Sequence, residues 1–497
     1  MNFAHWVLGH AAWRPAAPAI VFKGETLTYA ALAGQVVAMA ERLARAHGIG
    51  PGDRIAYAGL NHPRMLVLLF AAAHLRAVMV PLNTRLAGAE FAAILADADP
   101  KICFADIDLL PTITPVAPPG CVMEAATELD VPPAILAPWQ RPASPPTDPA
   151  ETLLIVYTSG TTGRPKGAML SHRALLTNIM NGVAMYGITD RDVTLTTIPL
   201  FHVGGLNIIT MPTLHQGGLL HLAERFDVDA TFQTIAEVRP SLVTLVPAQM
   251  AAMLRAPGWA EADFSSLRLL NTGSSLIPRH LIEAFHAKDV PVSQVYGTTE
   301  TCPTATCLSP LDAMTQVGSC GRAVPHTEVA VMDADGQPCA PGERGEVVVR
   351  GGNVMTGYWR KPEETEAAFI DGWFRTGDIG TVDADGFFWI VDRKKGAIIS
   401  GGENIYAAEV ERVLEDHPDI AAIAVVPAPD PRWGEVPVAF VEPAAGADLT
   451  AEGLLARYDG QISRIKWPKA IHIVERLPRN AMGKIVKGDL MALVAEA

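Results

Sequence analysis

Ten residues, Thr158 to Gly167, constrain this chain more than any other stretch. They read T-S-G-T-T-G-R-P-K-G and follow directly on Leu153-Leu154-Ile155-Val156-Tyr157. That apolar, β-branched run predicts a buried strand. A strand running into closely spaced glycines lets backbone N–H groups converge on one point. Hydroxyls at Thr158, Ser159, Thr161 and Thr162 add donors, and Arg164 and Lys166 add positive charge. Together they suit a polyphosphate. The spacing differs from the G-x-x-x-x-G-K-[ST] loop, since Gly167 stands where that loop places its magnesium-binding hydroxyl. Taken alone, the stretch also reads as a polar surface turn.

The rest of the chain says what kind of sheet carries this loop. Strand-like runs at Arg54 to Ala58 and Val78 to Leu82 alternate with helical patterns at residues 26–47, Met65 to Ala73 and Ala89 to Ala96. The alternation predicts an α/β sheet. Pro111 to Pro149 is proline-dense and reads as a loop or linker. After the loop come a helix over Ser171 to Tyr186, a strand over Asp192 to Ile198 and a helix over Leu206 to Gln216. Strands at Leu242 to Val246, Leu267 to Asn271 and Val292 to Tyr296 complete a second set. Beyond residue 325 the texture turns β-rich: Asp333-Ala334-Asp335-Gly336 and Asp383-Ala384-Asp385-Gly386 read as hairpin turns. A last α+β unit follows the charged run Asp392-Arg393-Lys394-Lys395. The expected fold is therefore α/β and α+β multidomain. A large N-terminal domain, residues 1–394, holds stacked α/β subdomains and a β-rich lobe; a small mobile C-terminal domain spans 395–497.

Composition narrows the partners. A formal net charge of −14 over 497 residues argues against nucleic acid, so any anion needs a locally basic pocket such as the one Lys166 offers. Met65 to Ala73, the most apolar segment, meets His74 and Arg76 well short of a membrane span and reads as a buried helix, with no stable membrane insertion. The six cysteines form no C-x-x-C pair, and the amino terminus has no signal-peptide pattern, which together suit a reducing cytoplasm.

Four further stretches carry candidate chemistry. Tyr296-Gly297-Thr298-Thr299-Glu300 closes a strand, where open sheets bind ligands. Glu300 there can hold Mg²⁺ on a triphosphate or be a solvated loop acid. Asp378, in R-T-G-D, can accept ribose hydroxyls or serve a turn. Ser400-Gly401-Gly402-Glu403 allows close backbone approach, and Lys484, in N-A-M-G-K, can act as a mobile point charge. Phe201-His202 gains interest only from this company.

The ordered set T-S-G-T-T-G-R-P-K-G, P-L-F-H, Y-G-T-T-E, R-T-G-D, D-R-K-K, S-G-G-E-N-I-Y and P-R-N-A-M-G-K resembles the adenylate-forming enzymes: acyl- and aryl-CoA synthetases, firefly luciferase and peptide-synthetase adenylation domains. The likeness runs from about Trp13 to Lys487. It implies that Thr158, Ser159, Gly160, Thr161, Thr162, Gly163 and Lys166 wrap the β- and γ-phosphates of ATP. It further implies that Thr299 and Glu300 meet the α-phosphate and Mg²⁺, and that Tyr296 lies beside adenine, with Ser274, Gly297 and Thr298 in the same nucleotide site. Asp378 and Arg393 would take the ribose, and Lys484 would bridge the substrate carboxylate and the α-phosphate, with His202, Glu300 and Thr158 as its catalytic company.

The implied reaction is ATP-dependent acid–CoA ligation in two steps, acyl-adenylate first and CoA thioester second. The small domain would rotate between steps about Lys395 and bring Ser400, Gly401, Gly402 and Glu403 to the CoA side. Gly396 replaces an acidic residue often found beside that hinge. The acyl pocket is expected at His202, Val203, Gly204, Gly205, Leu206, Pro247, Ala248, Ser274, Ser275, Gly297, Thr298, Cys302, Pro303 and Thr304. These are small and neutral, favouring an aromatic (hydroxycinnamate- or benzoate-like) or medium-chain fatty acid over an amino acid. A homodimer is the assembly the family suggests. The alternatives are an adenylating enzyme serving a carrier protein or amide acceptor, and a non-catalytic nucleotide-binding homologue. The second would be expected to lack Lys166, Glu300 or Lys484, and all three are present.

Overall fold

The computed structural model describes residues 2–134, 136, 145–158, 165–274, 277, 279–393, 397–415, 417–478, 485 and 487–495. Among these, four sheets organise the chain. The first has the order Gly357–Tyr358, Lys166–Ser171, Thr152–Thr158, Val78–Leu82, Arg54–Ala58, Ile102–Ala105, Val122–Ala125. Its strands from Thr152–Thr158 onward run parallel, while Lys166–Ser171 returns antiparallel with Thr158 opposite Lys166. The Gly/Thr stretch thus bridges two neighbouring strands of a hairpin.

The second sheet is larger. Val292–Tyr296, Leu269–Thr272, Leu242–Thr244, Val193–Thr196, Leu219–Leu222 and Pro18–Phe22 lie side by side in parallel, and antiparallel strands close both edges. Helices fill the space around the sheets. Tyr29–His47 starts at Thr28, whose hydroxyl accepts from Ala31 N, and stops at Gly48 in the left-handed region, φ 61°. Met65 to Ala73, within the helix Pro63–Leu75, is buried on every side, which explains why this helix is apolar all round.

The β-rich lobe pairs Thr327–Met332, Gly345–Gly351, Trp373–Val382 and Phe388–Arg393. The turn at Asp383 to Gly386 joins the last two as a hairpin, as expected. The turn at Asp333 to Gly336 also folds the chain back, with Asp333 N on Gln337 O and Met332 bridging Pro338, before the chain runs on to Gly345–Gly351, which pairs antiparallel with Thr327–Met332. In the small C-terminal domain, Glu403–Tyr406, Ala397–Ser400, Gly434–Pro443, Ile420–Asp430 and Ala470–Ile473 form one sheet. The helix Ala407–Glu415 packs on it, and Ile398, Val410, Leu414, Val425 and Val441 form its core. The expected boundary at 394/395 falls outside the described residues.

Two expectations are corrected. Residues 111–149 are more than a linker: Val122–Ala125 extends the first sheet by pairing in parallel with Ile102–Ala105. The expected helix over Leu206 to Gln216 is two helices, Val203–Asn207 and Thr210–Gln216. The Thr210 hydroxyl donates to the Gly205 carbonyl at 2.6 Å and so occupies the acceptor that a continuous helix would use.

Candidate active site

Strand ends make the site. The parallel strands finish at Thr158, Thr196, Thr244, Thr272 and Tyr296, and the residues at or just beyond these ends line a cavity of ≈ 1670 Å³. This is where open α/β sheets bind ligands. The β-rich lobe adds Thr376, Gly377 and Asp378, and the small domain closes one side with Ser400, Gly401, Gly402 and Glu403.

Asp378 is on the cavity wall, and Tyr296, which is not itself on that wall, bonds to it from the strand end. The phenol donates to Asp378 Oδ2 at 2.8 Å, and Asp378 is 2 % exposed. Burial first, and the Asp378 charge second, push the Tyr296 phenol far above its ordinary range, so it stays a neutral donor. Asp378 stands opposite Arg393 in the antiparallel register, which brings the two expected ribose ligands side by side along the backbone. Of Arg393 only the backbone is described.

A second group joins Lys166 and Glu300. Glu300, in the short turn Thr299–Thr301, accepts the Tyr358 hydroxyl on Oε1 at 2.9 Å, and its carbonyl accepts Met355 N at 2.7 Å. The Lys166 ammonium lies 5.3 Å from the centre of the Tyr358 ring. One aromatic ring therefore touches both the basic and the acidic candidate. Burial, and then Glu300, raise the Tyr358 phenol well above its usual range. A carboxylate at the cavity wall, held by a neutral phenol, fits the habit of Mg²⁺ on a polyphosphate, which takes few protein carboxylates.

The third group spans the two domains. Glu403 Oε1 lies 3.2 Å from His202 Nε2, 3.2 Å from Asn83 Nδ2 and 3.4 Å from an Arg85 guanidinium nitrogen. Burial raises the Glu403 carboxyl, but His202, Arg85 and Lys466 outweigh it and hold the group down at about 2. Glu403 is therefore charged throughout the neutral range. Gly402 comes close to Val246, and its φ of 86° suits glycine.

The chain that builds this site matches two family models, the AMP-binding enzyme over residues 9–359 and the AMP-binding enzyme C-terminal domain over 409–484. The chain belongs to the AMP-binding enzyme family. It is 45% identical to an indoleacetate–CoA ligase of Aromatoleum aromaticum over 100% of this chain and 98% of that protein. It is 40% identical to a feruloyl-CoA synthase of Amycolatopsis sp, covering 98% and 97%. Among solved structures, o-succinylbenzoate CoA synthetase of Bacillus subtilis appears in two states. A double mutant bound with a product analogue, OSB-NCoA, gives a TM-score of 0.88 at 32% identity over 98% of both chains. The same enzyme with the acyl-adenylate intermediate gives 0.71 at 32% identity, over 98% and 97%.

Within this AMP-binding fold, the cavity wall includes Thr158, Lys166, His202, Val203, Gly204, Ser274, Gly297, Thr298, Thr299, Glu300 and Pro303. Five expected pocket residues, Gly205, Leu206, Pro247, Cys302 and Thr304, are not brought to it. Gly205 packs so tightly that a Cβ would sit 2.2 Å from the Pro199 carbonyl oxygen, and Leu206 and Cys302 are buried in the core behind the wall. Ser159, Gly160, Thr161, Thr162, Gly163, Ser275, Lys395 and Lys484 lie outside the described residues. The six cysteines are all free.

Tyr358, Asn83 and Arg85 were not among the sequence candidates. Asn83 follows the strand Val78–Leu82, so the rule that ligands gather at strand ends could have flagged it. Tyr358 sits on a two-residue strand that pairs with Lys166–Ser171, and no local pattern announces that contact.

Proposed function

We propose that this protein is an ATP-dependent acid–CoA ligase acting on an aromatic carboxylic acid, with arylacetic and hydroxycinnamic acids as the preferred class. The observation that carries the reading is one cavity reached by the phosphate-loop strand end, by Glu300 and Asp378, and by the Glu403 segment of the small domain. Nucleotide, acid and thiol can then meet in a single cavity. The substrate class is supported by the relatives named for indoleacetate and ferulate and by a wall of Ile198, Val203, Gly204, Ile208, Val246 and Ala248.

The chemistry needs no protein nucleophile. A carboxylate oxygen of the acid attacks the α-phosphorus of ATP, and the bond to pyrophosphate breaks. Both reactants are anions, so positioning and charge neutralisation supply the rate. Lys166 and the Gly/Thr loop hold the outer phosphates, Asp378 orients the ribose, and Lys484 enters as the mobile cation. Magnesium at Glu300 would neutralise phosphate charge. In the second step the CoA sulfur attacks the acyl carbonyl carbon, its proton goes to solvent, and AMP leaves.

Two observations support reading the described arrangement as that of the second step. Ser400 to Glu403 faces the cavity, with Glu403 seated on His202, Asn83 and Arg85. The likeness is also greater to the relative's structure bound with a CoA product analogue than to its acyl-adenylate complex. The six free thiols suit the reducing cytoplasm in which ATP and CoA are found, and no helix among the described residues is long and apolar enough to cross a membrane.

A screen of pyrophosphate release tests the proposal, using arylacetates, cinnamates, benzoates and fatty acids with and without CoA. Release with an aromatic acid, followed by CoA-dependent turnover, is expected. Turnover confined to fatty acids would overturn the substrate class, and release with no thioester would favour a different acceptor.

A further inference from the structure

A buried cluster of one lysine and two carboxylates, outside the chemistry described above, ties the small domain to the large one. Glu90 stands in the first turn of the helix Gly88–Ala98 and accepts Ala87 N on Oε2 at 2.8 Å, the usual work of an acid at that position. The same oxygen also accepts Ser463 N of the small domain at 2.7 Å. Its other oxygen accepts the Lys466 ammonium, which reaches Glu409 Oε1 at 2.6 Å as well. The side chains of Glu90, Lys466 and Glu409 are only 9%, 10% and 11% exposed.

The contacts divide by domain. Lys466 and Glu409 both belong to the small domain, so their pairing survives any rigid rotation of it. The bonds from Ser463 and Lys466 to Glu90 cross between domains, and a rotation that withdraws Glu403 from His202 must break both. Burial works against charge on Lys466, but Glu409 and Glu90 more than compensate, and the ammonium is held charged. Glu90 therefore gains a buried cationic partner only in the docked arrangement. A charge pair of this kind adds little to overall stability, yet losing one partner of it is strongly felt, which suits a switch between two states better than a structural rivet.

We propose that Glu90, Lys466 and the Ser463 amide form a latch that holds the small domain in its thioester-forming orientation, making Glu90 and Lys466 positioning residues for the CoA step. This rests on the ligase reading above. The latch is a second point of attachment beside the Glu403 contacts, and its lysine also attracts the Glu403 carboxylate. Breaking the latch leaves the adenylation arrangement untouched.

Half-reactions measured separately test it. In Glu90→Gln the amide oxygen can still accept Ala87 N, but the charge facing Lys466 is gone. ATP–pyrophosphate exchange should stay within about twofold of the unaltered protein, while single-turnover transfer from supplied acyl-adenylate to CoA falls about tenfold or more, the order expected when a buried charge loses its partner. Lys466→Met should behave alike, Lys466→Arg should recover much of the loss, and the Glu90→Gln/Lys466→Met pair should be no slower than the slower single variant. Equal losses in both half-reactions, or no change in the CoA step with Glu90→Gln, would overturn the latch. Failure of the unaltered protein to carry out either half-reaction would instead overturn the ligase reading.

Discussion

Replacing Glu403 with glutamine removes a charge and little else. The carboxyl sits at about 2 instead of 4.5, so its surroundings favour the ionised form by about 3 kcal/mol, taking 1.36 kcal/mol per tenfold change in proton affinity. Glutamine keeps an oxygen for Asn83 and Arg85 but gives up the attraction to His202, Arg85 and Lys466. The expected loss is a part of that figure, about 1.5–3 kcal/mol, or roughly 10–100-fold in the population of the docked state. The assay is rapid-quench formation of acyl-CoA from enzyme-bound acyl-adenylate, with pyrophosphate exchange as the control. Acyl-CoA formation should fall by that factor and exchange should hold. The charge should also set a pH limit. A carboxyl depressed on folding contributes above its unfolded value near 4.5 and loses that contribution as pH falls toward 2. The Glu403 contribution to docking should therefore weaken as pH falls from about 4.5 toward 2. An unaltered CoA step in Glu403→Gln would refute the reasoning.

Other changes probe the large domain. A Cβ at Gly204 meets only Ile208 Cδ1, at 3.7 Å, so Gly204→Leu should fold normally and shift preference toward smaller acids, read as kcat/KM across a chain of aryl substrates. At Gly297 a Cβ would lie 1.7 Å from the Pro303 carbonyl oxygen, so Gly297→Ala should lower both Tm and activity. Tyr296→Phe leaves Asp378 without its phenol donor and should raise KM for ATP several-fold, by roughly 1 kcal/mol for one hydrogen bond, with little effect on KM for CoA. Lys484→Ala should abolish pyrophosphate exchange while sparing CoA transfer from supplied acyl-adenylate; equal loss in both steps would contradict the two-arrangement mechanism.

What the sequence made legible follows from how local each requirement is. A polyphosphate needs converging amides and hydroxyls, so the stretch at 158–167 announces itself in ten consecutive residues, while Glu300 is marked by the strand end beside it and Asp378 by the R-T-G-D run that contains it. The α/β alternation was legible from the apolar runs. The edge strand Val122–Ala125 was not, because its partner Ile102–Ala105 supplies the hydrogen bonds and the proline-rich surroundings mask it. Pocket residues were legible only by neighbourhood: Gly204 faces the cavity, whereas Gly205, one position on, faces Pro199. Least legible were contacts between domains. Glu90 and Lys466 are 376 positions apart, and each alone reads as an ordinary helix-cap acid and a solvated lysine.

Product analysis with indole-3-acetate, ATP, Mg²⁺ and CoA tests the ligase assignment most directly. Indoleacetyl-CoA, AMP and pyrophosphate in equal amounts are expected. Formation of ADP and phosphate, or of AMP with no thioester for any aromatic acid, would contradict it.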